Sequence, residues 1–240
     1  RISAARGAFA SQVTTERWQP MGPFSFVSMN TRYSSSPMPD EGRFTSVALH
    51  PTNRNIIIAG GGSSGIWRTI NGGASWQPLG DNECSTSMGS VTIDPVNPSI
   101  VYAGTGEIYG DNGFTDGCGI LKSTNAGDSW TPIARQQLAS AGQFGALVYR
   151  IAIDRATAGS ATSTTLFAAT SVGVLRSTNA GTSWSTVLQG WTTDVVQHPT
   201  RPEVLYAAVG NPRGAASNGV YLSTNGGTTW VALMDNALSL

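Results

Sequence analysis

The chain is short of charge, of lysine and of cysteine. Only 12% of its 240 residues are Asp, Glu, Lys or Arg, and the two signs balance to a formal net charge of zero. Lys122 is the one lysine among 14 basic residues, and the arginines stand singly. There is no basic stripe of the kind that neutralises phosphates, so a nucleic-acid partner is not expected. No apolar run approaches the ~20 residues a helix needs to cross a bilayer, and no membrane span is expected either. The chain opens at Arg1 with no signal peptide and no initiator methionine, which points to a leader or longer precursor that has been removed. Cys84 and Cys118 are its two cysteines, too few for a disulfide scaffold or a zinc ribbon. One bridge or two free thiols remain open.

What the chain has is glycine, 29 of them, and a repeat. Thr69-Ile-Asn-Gly-Gly-Ala-Ser-Trp76, Ser123-Thr-Asn-Ala-Gly-Asp-Ser-Trp130, Ser177-Thr-Asn-Ala-Gly-Thr-Ser-Trp184 and Ser223-Thr-Asn-Gly-Gly-Thr-Thr-Trp230 are four copies of one octapeptide. Their tryptophans are 54, 54 and 46 residues apart. A period near 50 that holds several short β-patterned runs is one supersecondary unit repeated, as in propeller blades of four strands each. The fold class is therefore all-β: four four-stranded antiparallel blades, at about 43–80, 88–134, 147–188 and 192–234, within a propeller or propeller segment at 18–240. Residues 1–17 read as an N-terminal extension.

Within each unit the octapeptide is the turn between the third and fourth strands. Asn71, Asn125, Asn179 and Asn225 can bond nearby backbone amides, and Gly73, Gly127, Gly181 and Gly227 permit positive φ. Trp76, Trp130, Trp184 and Trp230 are then expected to be buried between neighbouring sheets. Trp67 shares a column with Leu121, Leu175 and Tyr221 and is assigned to the core. Trp18-Gln-Pro-Met-Gly22 matches Trp76-Gln-Pro-Leu-Gly80, the outer strand of the first blade, so the N-terminus supplies an orphan outer strand. An open arc of four blades would expose apolar faces, and further blades or another chain are expected to cover them.

These octapeptides resemble the Asp-box, or bacterial neuraminidase repeat (BNR), with Asn in place of Asp in all four copies. Gly42-Arg-Phe-Thr-Ser-Val-Ala-Leu-His-Pro51, Val91-Thr-Ile-Asp-Pro95 and Val101-Tyr-Ala-Gly-Thr-Gly-Glu107 are similar to segments of sortilin-like receptor and xyloglucan-active endoglucanase propellers of secreted bacterial proteins. The resemblance implies an extracellular or cell-surface location. It does not carry an activity, because the same repeat serves enzymes, receptors and assembly factors. Xyloglucan-active relatives place a catalytic Asp where this chain reads Ala59-Gly-Gly-Gly-Ser-Ser-Gly-Ile-Trp67, without an acid. The three arginines of sialidase relatives are matched by Arg150 alone, since the equivalent positions are Ser46, Ser90 and Asp194.

Connections alternate between the two ends of the blades, which gathers the long loops 80–88, 106–118, 134–147 and 189–193 at one end, opposite the octapeptides and the His50 and His198 turns. Candidate ligand-binding residues there are Glu107, Asp111, Asp116, Arg150, Asp194 and Trp191. Arg150 and Asp194 read as a partly buried ion pair. Trp191 stacks on a sugar, anchors a partner or packs over the channel mouth. Asp111-Asn-Gly-Phe-Thr-Asp116 lacks EF-hand spacing, so no metal is assigned, and no cofactor is expected. Cys84 and Cys118 both fall on the long-loop end, where a bridge would tether the loop 106–118 in an oxidising compartment. The function expected is a non-catalytic interaction module for a protein or polysaccharide. The alternatives are an endoglucanase- or sialidase-like glycoside hydrolase with some catalytic residues outside this segment, and an assembly factor resembling the photosystem II propellers.

Overall fold

The computed structural model describes residues 26–28, 38–40, 43–109, 113–115, 117–134, 138, 146–211 and 214–234. The strand at Trp18–Gly22 and the acids Asp111 and Asp116 lie outside them. The chain divides into two compact units, Arg1–Glu41 and Gly42–Leu240. The first contains an antiparallel pair, β1 (Phe26–Ser28) and β2 (Met38–Asp40), with Phe26 opposite Asp40.

The second unit is a series of four antiparallel meanders. Blade one is β3 (Phe44–Leu49), β4 (Ile57–Gly61), β5 (Gly65–Thr69) and β6 (Gln77–Pro78). Blade two holds β7 (Met88–Ile93), β8 (Val101–Thr105), a side hairpin of β9 (Glu107–Tyr109) and β10 (Gly113–Thr115), then β11 (Ile120–Ser123) and β12 (Thr131–Ile133). Blade three is β13 (Val148–Ile153), β14 (Leu166–Thr170), β15 (Gly173–Ser177) and β16 (Ser185–Gln189). Blade four is β17 (Thr192–Gln197), β18 (Leu205–Val209), β19 (Gly219–Ser223) and β20 (Val231–Met234). The innermost strands β3, β7, β13 and β17 are neighbours in space, as in a propeller.

Burial follows from stacking sheet on sheet. Every residue of β8 and β14 is buried, because a strand covered on both faces needs apolar or small residues throughout. Three apolar clusters fill the three junctions. Ala48, Ile58 and Ile66 meet Met88, Val91 and Leu121; Tyr102 and Ile120 meet Val148, Ile151 and Leu175; Phe167 and Val174 meet Val195 and Leu205.

The octapeptide turns repeat one hydrogen-bond set four times. In blade two, Asn125 Oδ1 accepts the Ser123 hydroxyl at 2.8 Å and the Ser129 N–H at 3.0 Å, while its Nδ2 donates to Ser129 Oγ at 2.9 Å. Ser123 Oγ in turn accepts the Gly127 N–H at 2.8 Å. The sets around Asn71, Asn179 and Asn225 use the same atoms. Two consecutive residues take positive φ: Ala126 at 59° and Gly127 at 96°, Ala180 at 52° and Gly181 at 91°. At Gly181 and Gly227 a Cβ would run into Ile133 and Phe167 of the preceding blade, so glycine here answers to close packing as well as to φ.

The four octapeptide tryptophans are half-buried, where burial was expected. Three of them lie over the blade junctions: Trp130, Trp184 and Trp230 each pack against one of the three clusters. The Trp184 N–H donates to the Gly181 carbonyl at 3.0 Å within its own turn. Trp67 is also half-buried, its N–H donating to Ser64 O at 2.6 Å.

Candidate functional site

Strand order puts the starts of the innermost strands at the same end as the loops that follow the outer strands. At that end each innermost strand carries a register shift, between Phe44 and Ser46, Met88 and Ser90, Val148 and Arg150, and Thr192 and Asp194. The extra residues are Thr45, Gly89, Tyr149 and Thr193. A bulge of this kind re-aims side chains, and here it does so at one place in every blade.

The residue after the bulge shows how a structural position becomes a charged one. Ser46 Oγ accepts the Val91 N–H of the next blade at 2.9 Å, and Ser90 Oγ accepts the Ile151 N–H at 3.1 Å. A guanidinium cannot accept, so Arg150 breaks the series. The corresponding N–H, that of Val195, is taken at 2.9 Å by Asp194 Oδ1 on its own strand. Arg150 Nε lies 3.8 Å from that same oxygen, with both side chains about half exposed. The pair expected to be partly buried is therefore a solvated one, worth at most about 1 kcal/mol. Beside it, the Tyr149 ring lies 6.2 Å from that of Trp191 at 35°. Trp191 is half-buried on this tyrosine, and burial pushes the Tyr149 hydroxyl's pKa up.

Glu107 has a different setting. It opens the side hairpin, its side chain is 11% exposed, and Arg43 Nη2 approaches Oε1 at 2.6 Å. Burial pushes the carboxyl up from its ordinary value, and the Arg43 charge and hydrogen bond offset only part of that. Its Oε2 lies 2.5 Å from where a Cβ at Gly62 would sit, so the Gly-rich turn of blade one is the floor beneath the carboxylate. The hairpin is held at its base. Cys84 and Cys118 are joined by a disulfide across a Cα separation of 6.1 Å. Thr105 Oγ1 accepts the Cys118 N–H at 2.8 Å and donates to Gly119 O at 2.7 Å, and the Gly106 N–H reaches Ser87 O at 2.9 Å.

A groove of about 280 Å³ runs along the innermost strands, its polar walls coming from Thr45, Ser46, Ser90, Thr92, Tyr149 and Arg150. A second cavity of about 390 Å³ at the opposite end, between blades one and two, is walled by apolar residues such as Ile58, Ile70 and Ile93 and by the His50 turn. That turn is closed by backbone N–H groups of Thr52 and Asn53 donating to His50 Nδ1. His198 does the same for Thr200 and Arg201. Among the described residues no cluster of His, Cys, Asp or Glu could hold a metal ion, and no helix is long and apolar enough to cross a membrane.

The structure thus brings Arg150 to Asp194 and Trp191 to Tyr149, ties Glu107 to Arg43, and adds Tyr149 and Gly62, which the sequence does not single out. Tyr149 had no signal of its own, because the bulge that turns it out is invisible to a period-two pattern. The side hairpin had one: the turn-forming run Gly110-Asp-Asn-Gly113 stands between Glu-Ile-Tyr and Phe-Thr, which are strand-forming residues.

No protein-family model and no curated protein matches the chain. Among solved structures it is similar to the GH74 enzyme of Niastella koreensis, with TM-score 0.59 and 19% identity over 81% of this chain. An ancestral GH74 enzyme gives TM-score 0.61 and 22% identity over 93% of it. The fold is that of β-propeller blades. The chain spans 30% and 26% of the lengths of those two proteins, and at such identities the likeness extends to the fold alone.

Proposed function

We propose that this chain is a non-catalytic interaction module, on an extracellular or cell-surface protein, that holds a polysaccharide or a protein at its long-loop end. The observation that carries this reading is the contrast between groove and acid. The groove sets hydroxyls and a half-exposed arginine beside apolar side chains such as Val47 and Leu49, a mixture that can bind a hydroxyl-rich or acidic chain without reacting with it. Glu107, the more buried of the two described candidate acids, is engaged by Arg43. The disulfide supports the location, since such bonds persist in oxidising compartments. An assembly-factor role is the same reading with a protein as ligand.

A glycoside hydrolase with further residues outside this segment is the second reading, and one observation favours it. Burial pushes the Glu107 carboxyl up from its ordinary value, which is the direction a general acid requires. The reaction also needs a second carboxylate roughly 5–9.5 Å away across the scissile bond, and the Arg43 contact opposes the protonated state.

Affinity electrophoresis of the purified chain in gels cast with neutral and acidic polysaccharides tests the first reading. Retardation that is lost in Arg150→Ala supports it. Unchanged mobility in every gel, together with no protein bound through Arg150 and Tyr149, contradicts it.

A further inference from the structure

The repeat allows the junction between blades one and two to be compared with the junctions that follow it. One side chain on the second strand of each blade stands directly across from the third strand: Tyr102 opposite Lys122, Phe167 opposite Arg176, Tyr206 opposite Leu222, and in blade one Ile58 opposite Arg68. In blades two and three this pair is a ring beneath a cation, with Lys122 Nζ 5.7 Å from the Tyr102 ring centre and Arg176 Cζ 6.0 Å from that of Phe167. Blade one keeps the cation and lacks the ring. Arg68 Nη1 is fixed by Ala126 O at 3.0 Å and Asp128 Oδ1 at 2.7 Å, and the cavity of about 390 Å³ lies beside it, lined also by Ile58 and Ile93.

The difference continues to the surface. Over blade two, Lys122 Nζ also donates to Ala161 O at 2.6 Å, in the long connection 154–165 of the next blade. The corresponding connection before Val101 is shorter, and its Pro98 and Ser99 line the cavity without filling it. At the rim stands Ile70, 67% exposed, where the other three octapeptides have Thr124, Thr178 and Thr224. Two departures from the repeat, a missing ring and an added apolar rim residue, thus fall on one cavity. A polar group is there as well. The Tyr102 hydroxyl lies near enough to Asp94 for that charge to add to burial in pushing its pKa up, and His50 takes the place of Asp94 in blade one and lines the cavity. His50 Nδ1 accepts the N–H groups of Thr52 at 3.2 Å and Asn53 at 3.1 Å, which leaves the ring proton on Nε2, and Nε2 bonds to no described residue.

We propose that this cavity receives the tyrosine side chain of a protein partner, its ring entering beside Arg68 as Tyr102 and Phe167 lie beside their cations, and its hydroxyl accepting from His50 Nε2. The space is ample, since a cavity of roughly 150 Å³ lined by aliphatic groups takes up benzene. The negative face of a ring complements the guanidinium, and its body matches the isoleucines. Ile70 extends the apolar contact beyond a single ring, which favours a side chain carried on a polypeptide over a free phenol. The cavity is at the end of the blades opposite the groove, so its failure as a site leaves the binding reading there standing.

Methyl-detected NMR on the whole chain tests this with three probes: p-cresol, its saturated analogue 4-methylcyclohexanol, and a Val-Tyr-Val peptide blocked at both ends. The δ1 methyls of Ile58, Ile70 and Ile93 are expected to shift upfield, saturably, with p-cresol and with the peptide, and to stay in place with 4-methylcyclohexanol. The peptide should bind several-fold more tightly than p-cresol. Ile58→Tyr, which gives blade one the ring that blades two and four carry, should abolish both titrations. Ile70→Thr, an exposed change to the residue of the other three copies, should weaken the peptide several-fold and leave p-cresol nearly unchanged. No shift in the wild-type chain, equal shifts with 4-methylcyclohexanol, or binding that persists in folded Ile58→Tyr overturns the proposal. Binding of p-cresol with none of the peptide, or a peptide affinity that Ile70→Thr leaves unchanged, overturns the assignment to a partner's side chain.

Discussion

The indole N–H of Trp130 donates to the carbonyl oxygen of Leu79 at 3.1 Å, from the turn of blade two to the residue that follows the outer strand of blade one. The same ring packs beside Leu79 on the cluster that joins these blades. The octapeptide is thus a junction as well as a turn. Replacing Trp130 by Ala removes a half-buried ring and one hydrogen bond, and is expected to cost about 2–3 kcal/mol, below the 3–5 kcal/mol typical of fully buried aromatics. Urea unfolding monitored by far-UV circular dichroism measures it. A cost under about 0.5 kcal/mol, as at ordinary surface positions, would place the ring outside the junction.

Within the turn, Asn125→Ala deletes the oxygen that organises the Ser123 hydroxyl and the Ser129 amide, at an expected cost of about 1–2 kcal/mol. Asn125→Asp keeps that oxygen, and the Ser129 hydroxyl can donate where Nδ2 did. It should cost clearly less than Ala in the same unfolding experiment. Equal losses would show that the Oδ1 contacts contribute nothing.

Ala126 and Ala180 sit at φ 59° and 52°, while copies one and four have Gly72 and Gly226, both at 67°. The left-handed region costs a Cβ-bearing residue roughly 1–2 kcal/mol, partly offset by the greater freedom of glycine in the unfolded chain. Ala126→Gly should therefore stabilise by about 0.5 kcal/mol, read as a small rise in melting temperature. A fall would contradict the assigned backbone.

Much of this architecture is legible in the sequence, because the octapeptide recurs and its Asn, Gly and Trp have separate physical jobs. Each copy of the octapeptide falls between the third and fourth strands of one four-stranded sheet, as its turn chemistry requires. The ends of the elements were less legible. The bulges that turn out Tyr149 and Thr193 leave no mark in a period-two pattern, and Arg43 becomes Glu107's partner only through a contact between blades one and two. The ion pair of Arg150 and Asp194 could be inferred from equivalent positions, but its exposure depends on how far the innermost strands stand apart. That distance is set by packing at the junctions.

Glu107 gives a pH dependence with a definite sign. Burial raises its folded-state pKa above the unfolded value, so the fold favours the protonated carboxyl. That contribution is fully present below the unfolded pKa and is lost as pH rises through the folded one. Glu107→Gln, which mimics the protonated form, should match the wild-type melting temperature near pH 4 and equal or exceed it at pH 8. A variant less stable than wild type at pH 8 would mean that the Arg43 contact outweighs burial.

The bridge between Cys84 and Cys118 closes a loop for which the chain-entropy model gives about 3–4 kcal/mol. Cys84→Ser/Cys118→Ser should lose stability of that order, and peptide mapping of unreduced protein should recover the two cysteines in one linked fragment. Separately alkylated Cys84 and Cys118 peptides would remove the bridge and the chief structural support for an oxidising compartment.

The central claim is that the long-loop end binds without cleaving, and one measurement addresses both halves. Wild-type chain is incubated with a panel of neutral and acidic polysaccharides, and each mixture is split between a Trp fluorescence titration, which reports ligand near Trp191, and a reducing-end assay. The account predicts a saturable fluorescence change with at least one polysaccharide or its oligosaccharides, reduced in Arg150→Ala, and no new reducing ends. Reducing ends that accumulate with time in wild type and fail to appear with Glu107→Gln would contradict it and make Glu107 an acid catalyst.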